Sequence, residues 1–219
     1  MGFSRAIQPV VVDNLTAGLV GIGMNFSAKG DFDANIEDHL LFASEAGMEG
    51  DDLRVLSVLT TWLGAHAAYV NVMRLAKLVK AHPSTRVRAY WAAWAAAQDD
   101  RRFHKMANWD NDAVTLLRKG SAFQVRRRGQ DARFDDERLV VPAGTLRQRA
   151  SDVLTPEALA QRHLGYRHRV MMGPSWRADV WTVLTRNPEL TTAEAARQAH
   201  CAFATAWQVA RDFNVLSVS

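Results

Sequence analysis

The sequence predicts a mainly α fold with a small β-hairpin, in which a helical scaffold precedes a C-terminal module of three short helices. Three observations support this prediction. Apolar residues recur at helical spacing from Asp51 onward. Two short runs typical of strands, 122–125 and 138–141, flank a polar and charged connection. Gly173-Pro174 then marks a boundary before the final stretch of the chain.

Four parts are expected along the 219 residues, of which 48% are hydrophobic and 23% charged. This composition supplies enough apolar material for one large or two small domains. The predicted parts are an acidic segment with one helix (1–50), a helical domain with the β-hairpin (51–150), a basic connecting helix (151–174) and the three-helix module (175–219).

Capping residues, glycine and proline set the predicted helix bounds. After a glycine-rich stretch over 9–30, expected to be a loop or a short docking segment, Asp33 is expected to cap a helix over about 34–46. Leucines at spacings of three and four predict the first scaffold helix, and Asn71 and Ser84 cap the next two. Residues 110–119 are expected to form a fourth short helix closed by Gly120. The connecting helix starts at Thr155, with proline as its first helical residue.

The C-terminal module has its own start and stop signals. Ser175 caps its first helix, which Asn187-Pro188 ends. Thr191 and Glu194 have the spacing of a capping box and start the second helix. Cys201 lies in the turn that follows. In the third helix, the residues that share one face at spacings of three and four are Ala206, Val209 and Phe213.

Small side chains stand where the last two helices must touch. Two helices that cross near a right angle approach closely only if residues such as Ala195, Ala196 and Ala199 line the contact. In these residues the chain resembles the bacterial helix-turn-helix family, in which Glu-x-Ala-Arg opens the supporting helix. His200 departs from the pattern, because the turn usually has glycine there and a positive φ would strain histidine.

The resemblance implies that the third helix lies in the major groove of DNA. The residues that it would present to the groove are Phe203, Thr205, Gln208 and Arg211. Gln208 suits an adenine edge, Arg211 a guanine edge or a phosphate, and Phe203 a thymine methyl group. Arg197 and Arg177 would lie near the phosphate backbone and set the register. Three short helices with alanine-rich contacts also occur in modules that bind only protein.

Two other groups of basic residues are candidates for phosphate contacts. Arg126, Arg127 and Arg128 lie at the tip of the predicted hairpin, either as a wing that touches DNA or as a solvated turn. The second group either binds phosphate or pairs with acidic residues, including those of the N-terminal 50; its members are Arg147, Arg149, Arg162, His163, Arg167, His168 and Arg169.

The charge distribution favours an anionic partner only modestly. The net charge is +4, but the first 50 residues hold two basic and seven acidic residues, so the remainder carries 25 basic against 16 acidic. Twenty-two of the 27 basic residues are arginine, which suits phosphates and guanine edges but also follows from a GC-rich genome.

Several function classes lack support in the sequence. The single cysteine excludes an internal disulfide and a cysteine-based zinc site. No P-loop, nucleophile elbow or metalloprotease motif is present, so we expect neither an enzyme nor a bound cofactor or metal. No apolar run approaches the roughly 18 residues of a membrane span, and the N-terminal residues make a poor secretory signal. A cytoplasmic protein without a membrane partner is expected.

Three further stretches resemble bacterial accessory proteins that are encoded beside nucleotidyltransferase-type toxins. They are Asn35-Ile36-Glu37 before the helix with Trp62, residues 141–147, and residues 203–209. This resemblance implies an antitoxin or autoregulator that binds operator DNA and has a toxin protein as a second partner.

The function expected from the sequence is that of a sequence-specific DNA-binding transcriptional regulator. It is expected to act as a homodimer on double-stranded DNA, since groove-reading proteins commonly bind paired half-sites. The alternative is a protein-interaction module that binds and neutralises a partner protein without contacting DNA. In that case the acidic N-terminal segment and the helical middle of the chain would form the interface.

Overall fold

A computed structural model describes residues 12–109, 112–134 and 136–217. Within these ranges the protein is mainly helical, and its sheet is a single pair of two-residue strands. The mainly α fold class predicted from the sequence is therefore confirmed. None of the helices in the described ranges has both the length and the apolar character needed to cross a bilayer.

Residues 12–96 contain five α-helices, which are α1 (Val12–Gly21), α2 (Ile36–Met48), α3 (Leu53–His66), α4 (Val72–Ala81) and α5 (Thr85–Ala96). Asn71 and Ser84 cap α4 and α5 with their side chains, as predicted. The cap of α2 is Asn35, two residues beyond the predicted Asp33.

Helix α1 occupies part of the stretch that the sequence assigned to a loop. Its glycines provide close packing and do not form turns. A Cβ atom added at Gly18 would lie 1.9 Å from the ring of His39, and one at Gly21 would lie 1.7 Å from the carbonyl oxygen of Asp31. Glycine therefore lets α1 pack tightly against α2 and the loop before it.

The predicted β-hairpin is wrong. The middle of the chain contains α6 (His104–Ala107), β1 (Val114–Thr115), α7 (Ser121–Arg128) and β2 (Leu139–Val140). Strands β1 and β2 pair in parallel, so they cannot form a hairpin, and α7 lies in the crossover between them. Residues 122–125 belong to α7 because Gly120, at φ +79°, starts a helix there. Residues 112–119 contain β1 and turns in place of the predicted fourth helix, whereas 110 and 111 lie outside the described residues.

The connecting segment forms two helices where one was predicted, α8 (Pro156–Arg162) and α9 (Leu164–Met172). It begins as predicted, with the hydroxyl of Thr155 accepting the N–H of Ala158 at 3.3 Å. His163 interrupts the helix with an extended backbone, and its ring accepts the N–H of Tyr166 at 3.0 Å as the cap of α9.

The last three helices are α10 (Trp176–Arg186), α11 (Thr192–Gln198) and α12 (Phe203–Ser217). They enclose a small apolar core of their own, separate from the main core of the preceding part of the chain. Its buried members are Val180, Leu184, Ala195, Ala196, Ala199, Ala206 and Val209. We refer to α10–α12 as the C-terminal module. The division of the whole chain into four parts stays a prediction.

Candidate nucleic-acid interface

Helices α11 and α12 are joined by a tight turn over residues 199–202. The predicted capping box is present at the start of α11, where the backbone N–H of Thr191 donates to the carboxylate of Glu194 at 2.9 Å and the N–H of Glu194 donates back to the Thr191 hydroxyl at 3.3 Å. The N–H of Cys201 closes the turn on the carbonyl oxygen of Ala196 at 3.0 Å. Residues 192–213 therefore form a helix, a turn and a second helix.

His200 adopts the left-handed backbone conformation in this turn, with φ +54°. Glycine reaches this region freely, whereas an L residue with a side chain costs about 1–2 kcal/mol. The strain expected at this position is therefore present. The turn adopts this conformation although it has histidine in place of glycine, the residue that suits it best.

The alanines expected at the helix contact are all buried. Ala195 and Ala206 are fully buried, and Ala196 and Ala199 are exposed by 6% and 4%. Cys201 is half-buried in the turn, and burial raises the pKa of its thiol. Because the contact residues carry little beyond Cβ, the two helices approach closely and α12 can leave its opposite face in solvent.

The outer face of α12 combines aromatic, amide and cationic groups. Phe203 and Trp207 are exposed by 57% and 52%, and Gln208 and Arg211 are also exposed. The guanidinium of Arg211 lies over the Trp207 ring, 5.7 Å from its centroid. Thr205 is half-buried at the edge of this face. From the sequence, Trp207 was expected to pack against the neighbouring helix and was left out of the groove residues. Its spacing of four from both Phe203 and Arg211 instead places it on the same exposed face.

The two arginines expected near the phosphate backbone differ in their surroundings. Arg197 is exposed on α11. Arg177, on α10, donates to the carboxylate of Asp212 at 2.7 Å and lies 5.7 Å from the centroid of the Trp181 ring. Hydrogen bonds from Arg177, and next from Arg211, lower the pKa of Asp212. Arg177 therefore braces α10 against the C-terminal half of α12.

The other basic candidates are distributed over the scaffold. Arg126, Arg127 and Arg128 form the exposed last turn of α7, so their predicted position at a hairpin tip is wrong. Arg147, Arg149, Arg162 and Arg167 are exposed. His163, His168 and Arg169 are buried, which excludes them as surface phosphate ligands in this structure.

Arg169 belongs to a buried ionic network that joins the scaffold to the C-terminal module. Its guanidinium donates to both carboxylate oxygens of Glu37 on α2, at 2.6 and 2.9 Å, and to Asp179 on α10, at 2.7 and 2.9 Å. Arg74 on α4 lies 3.6 Å from Glu37. Asn71 donates its backbone N–H to Glu37 and its side-chain amide to Asp179, both at 2.9 Å.

The two carboxylates of this network have pKa values shifted in opposite directions. Burial by itself would raise the pKa of Glu37, but Arg169, with smaller contributions from the charge of Arg74 and the N–H of Asn71, lowers it. Burial raises the pKa of Asp179, and Arg169 opposes this only in part. The sequence left two alternatives for the basic group that includes Arg169, phosphate binding or pairing with acidic residues. In the structure, Arg169 pairs with Glu37 of the acidic N-terminal segment.

The sequence contained one signal for this network. Glu37 shares its helical face with Leu40, Leu41 and Ser44, all of them buried. A charged residue on an apolar face needs a buried partner, because an isolated buried charge is too costly. The identity of that partner, 132 positions further along the chain, was not visible in the sequence.

Comparison with protein-family models, with curated proteins and with solved structures found no match to this chain.

Proposed function

We propose that this protein is a sequence-specific DNA-binding regulator of transcription whose helix α12 enters the major groove. The observation that carries the proposal is the outer face of α12, where Phe203, Gln208 and Arg211 are exposed after a tight turn. Amide and guanidinium groups on a helix recognise adenine and guanine edges, and an apolar side chain contacts thymine methyl groups.

The turn supports the same proposal. Only a small contact such as Ala196 against α12 lets a supporting helix hold a second helix outward from the core. His200, with its left-handed backbone conformation, lies in the four-residue turn that separates the two helices. Arg197 on α11 is exposed beside this turn, where it is available to a phosphate.

The proposal extends to assembly, location and genetic context. Two copies of the chain would occupy the two half-sites of a symmetric operator, as groove readers commonly do. The regulator would act in the cytoplasm of a bacterial cell. Its resemblance to accessory proteins encoded beside toxins suggests an antitoxin that represses its own operon.

The test is binding to duplexes selected from a random pool, followed by anisotropy titration of the best duplex and of a scrambled one. Gln208→Ala and Arg211→Ala are each expected to weaken binding to the selected duplex by about 1–3 kcal/mol and to relax the preference at one base pair. Matched controls are Gln161→Ala and Arg101→Ala, exposed residues on the scaffold. Unchanged discrimination in both α12 variants would show that α12 does not read the groove.

A second candidate function, binding of a partner protein through α12, has one specific observation in its favour. Val215 and Leu216, near the end of α12, are exposed by 73% and 68%, in addition to Phe203 and Trp207. Clustered exposed apolar residues mark protein-interaction sites. Co-expression with the product of the adjacent gene tests this candidate, since Val215→Ser with Leu216→Ser should abolish co-purification and leave DNA binding intact.

A further inference from the structure

We propose that a second, separate surface of the scaffold binds the phosphate backbone of duplex DNA. It is formed by Arg126, Arg127, Arg128, Arg147 and Arg149, and is called the basic surface below. The proposal rests on the proposed function in one respect, since it takes duplex DNA as the ligand. It differs from the groove contact of α12 in the residues involved and in the part of the chain that carries them. It also differs in the kind of contact, because phosphate contacts do not depend on the base sequence.

Backbone contacts bring the two groups of arginines together. Helix α7 ends at Gly129, whose carbonyl oxygen accepts the N–H of Ala143 at 3.0 Å. The next residue, Gln130, forms an antiparallel bridge with Pro142. Arg133 then donates to the carbonyl oxygen of Leu146 at 2.6 Å. The chain after α7 therefore runs beside residues 142–146, so the arginine-rich end of α7 lies next to the segment that leads into Arg147 and Arg149.

The arginines of this surface have no carboxylate partner among the residues that the structure describes. All five arginines are exposed, and none forms an ion pair within the described parts of the chain. Two carboxylates of the same region are already engaged, since Asp131 pairs with Arg133 and Asp136 with Arg138. Phe123, three residues before Arg126 on α7, is exposed by 60%. The negative end of the α7 dipole favours cations there but satisfies only part of this charge.

The C-terminal module has no net positive charge to attract the DNA backbone. Within residues 175–217 it holds four arginines and four carboxylates, so its net charge is zero with histidine neutral. Arg177 pairs with Asp212 and Arg186 with Asp33. Affinity for duplex DNA comes largely from neutralised phosphates and released counterions. A neutral groove reader therefore needs phosphate contacts from another part of the chain, and the basic surface has them.

Guanidinium groups suit this ligand because their planar forks form paired hydrogen bonds with phosphate oxygens. Neighbouring phosphates along the DNA backbone offer several such sites, which suits a group of exposed arginines better than any single small anion does. The basic surface is expected to add affinity without adding sequence preference.

The experiment compares the salt dependence of DNA binding in two triple variants of the full-length protein. The first is Arg126→Gln, Arg127→Gln and Arg128→Gln. The matched control removes three exposed charges from elsewhere on the scaffold, by Lys80→Gln, Arg101→Gln and Lys105→Gln. Dissociation constants are measured for the selected and scrambled duplexes between about 50 and 200 mM salt, where phosphate contacts change affinity most clearly.

The first variant is expected to bind both duplexes about tenfold more weakly, with a salt slope smaller by roughly 0.9 for each lost phosphate contact. The ratio of the two affinities should stay unchanged, and so should the thermal unfolding midpoint, since the three side chains are exposed. The control should keep the wild-type slope. The proposal would be overturned if the first variant had the same salt slope as the wild type. It would also be overturned if both triple variants lost the same amount of DNA affinity.

The two proposals fail separately. If Gln208→Ala and Arg211→Ala leave sequence discrimination intact while the basic-surface variant still loses its salt slope, the groove assignment falls and the basic surface stands. If sequence discrimination depends on α12 but the basic-surface variant keeps the wild-type salt slope, the groove assignment stands and the basic surface falls. Vesicles containing phosphatidylserine serve as the competing polyanion. A basic surface whose loss affects vesicle binding and not DNA binding would be a membrane contact, and the proposal would be wrong.

Discussion

Replacement of Arg169 by methionine tests how strongly the buried ionic network holds the C-terminal module to the scaffold. Methionine keeps an unbranched side chain that fits the same space, but it removes the charge and every donor. Glu37, which is fully buried, would keep only Arg74 at 3.6 Å and the N–H of Asn71 as partners. Asp179 would keep only the Asn71 amide.

The expected loss follows from leaving two carboxylates without their main partner. Arg169 donates four hydrogen bonds of 2.6–2.9 Å to Glu37 and Asp179 and is itself exposed by only 3%. Removing one partner of a buried ion pair costs about 3–5 kcal/mol, because the remaining charge is buried and unpaired. For a chain of this length, that corresponds to a fall of roughly 6–20 °C in the thermal unfolding midpoint.

The assay is urea unfolding followed by circular dichroism, with Arg197→Met as the control because Arg197 is exposed on α11 and is not part of the buried ionic network. The control should change the free energy of unfolding by less than about 0.5 kcal/mol. In the wild type, Glu37 has a lowered pKa, so its contribution is present above the unfolded pKa and is lost as the pH falls. The difference between variant and wild type should therefore shrink toward pH 4. A loss below about 1 kcal/mol at pH 7 would refute the reasoning.

The remaining predictions concern the turn and the buried histidines. Ala196→Leu should overpack the contact between α11 and α12 and cost about 1–3 kcal/mol, whereas Ala193→Leu, on the exposed side of α11, should be neutral in the same urea titration. His200→Gly should raise the free energy of unfolding by about 0.5–1 kcal/mol because it relieves a positive φ; His200→Ala keeps the Cβ atom and should bring no gain. Burial lowers the pKa of both His66 and His163 to about 4. Below pH 6.5 only the unfolded chain takes up these protons, so stability should fall by about 1.4 kcal/mol per pH unit for each imidazole. A stability profile that is flat between pH 6.5 and 5 would contradict this prediction.

Local signals in the sequence were reliable where neighbouring residues decide the structure. The caps at Asn71, Ser84 and Thr155 start helices as predicted, because the side chain that satisfies a free N–H lies within three residues of it. The capping box at Thr191 and Glu194 is present for the same reason. The positive φ at His200 is consistent with the resemblance to helix-turn-helix proteins, whose turn usually has glycine at this position.

Errors arose where a short apolar run had no periodicity long enough to separate helix from strand. Residues 122–125 offer only four positions, which fit either period, and they form part of α7. Strand β2 pairs with β1, which lies 25 positions earlier in the chain, and Val114 is paired with Leu139. Glycines at 18 and 21 suggested a loop, yet they permit close helix packing, a role that depends on what approaches them.

By itself the sequence determined the fold class, most helix starts and the helix, turn and helix of residues 192–213, since these depend on contacts between residues close together in the chain. Only the tertiary structure decided which charges are buried and which face solvent. Arg169 and Arg167 stand two positions apart, but the first is buried against Glu37 and the second is exposed. The physical reason is that burial of a charge depends on a partner supplied by a distant helix, and nothing local to either arginine specifies that partner.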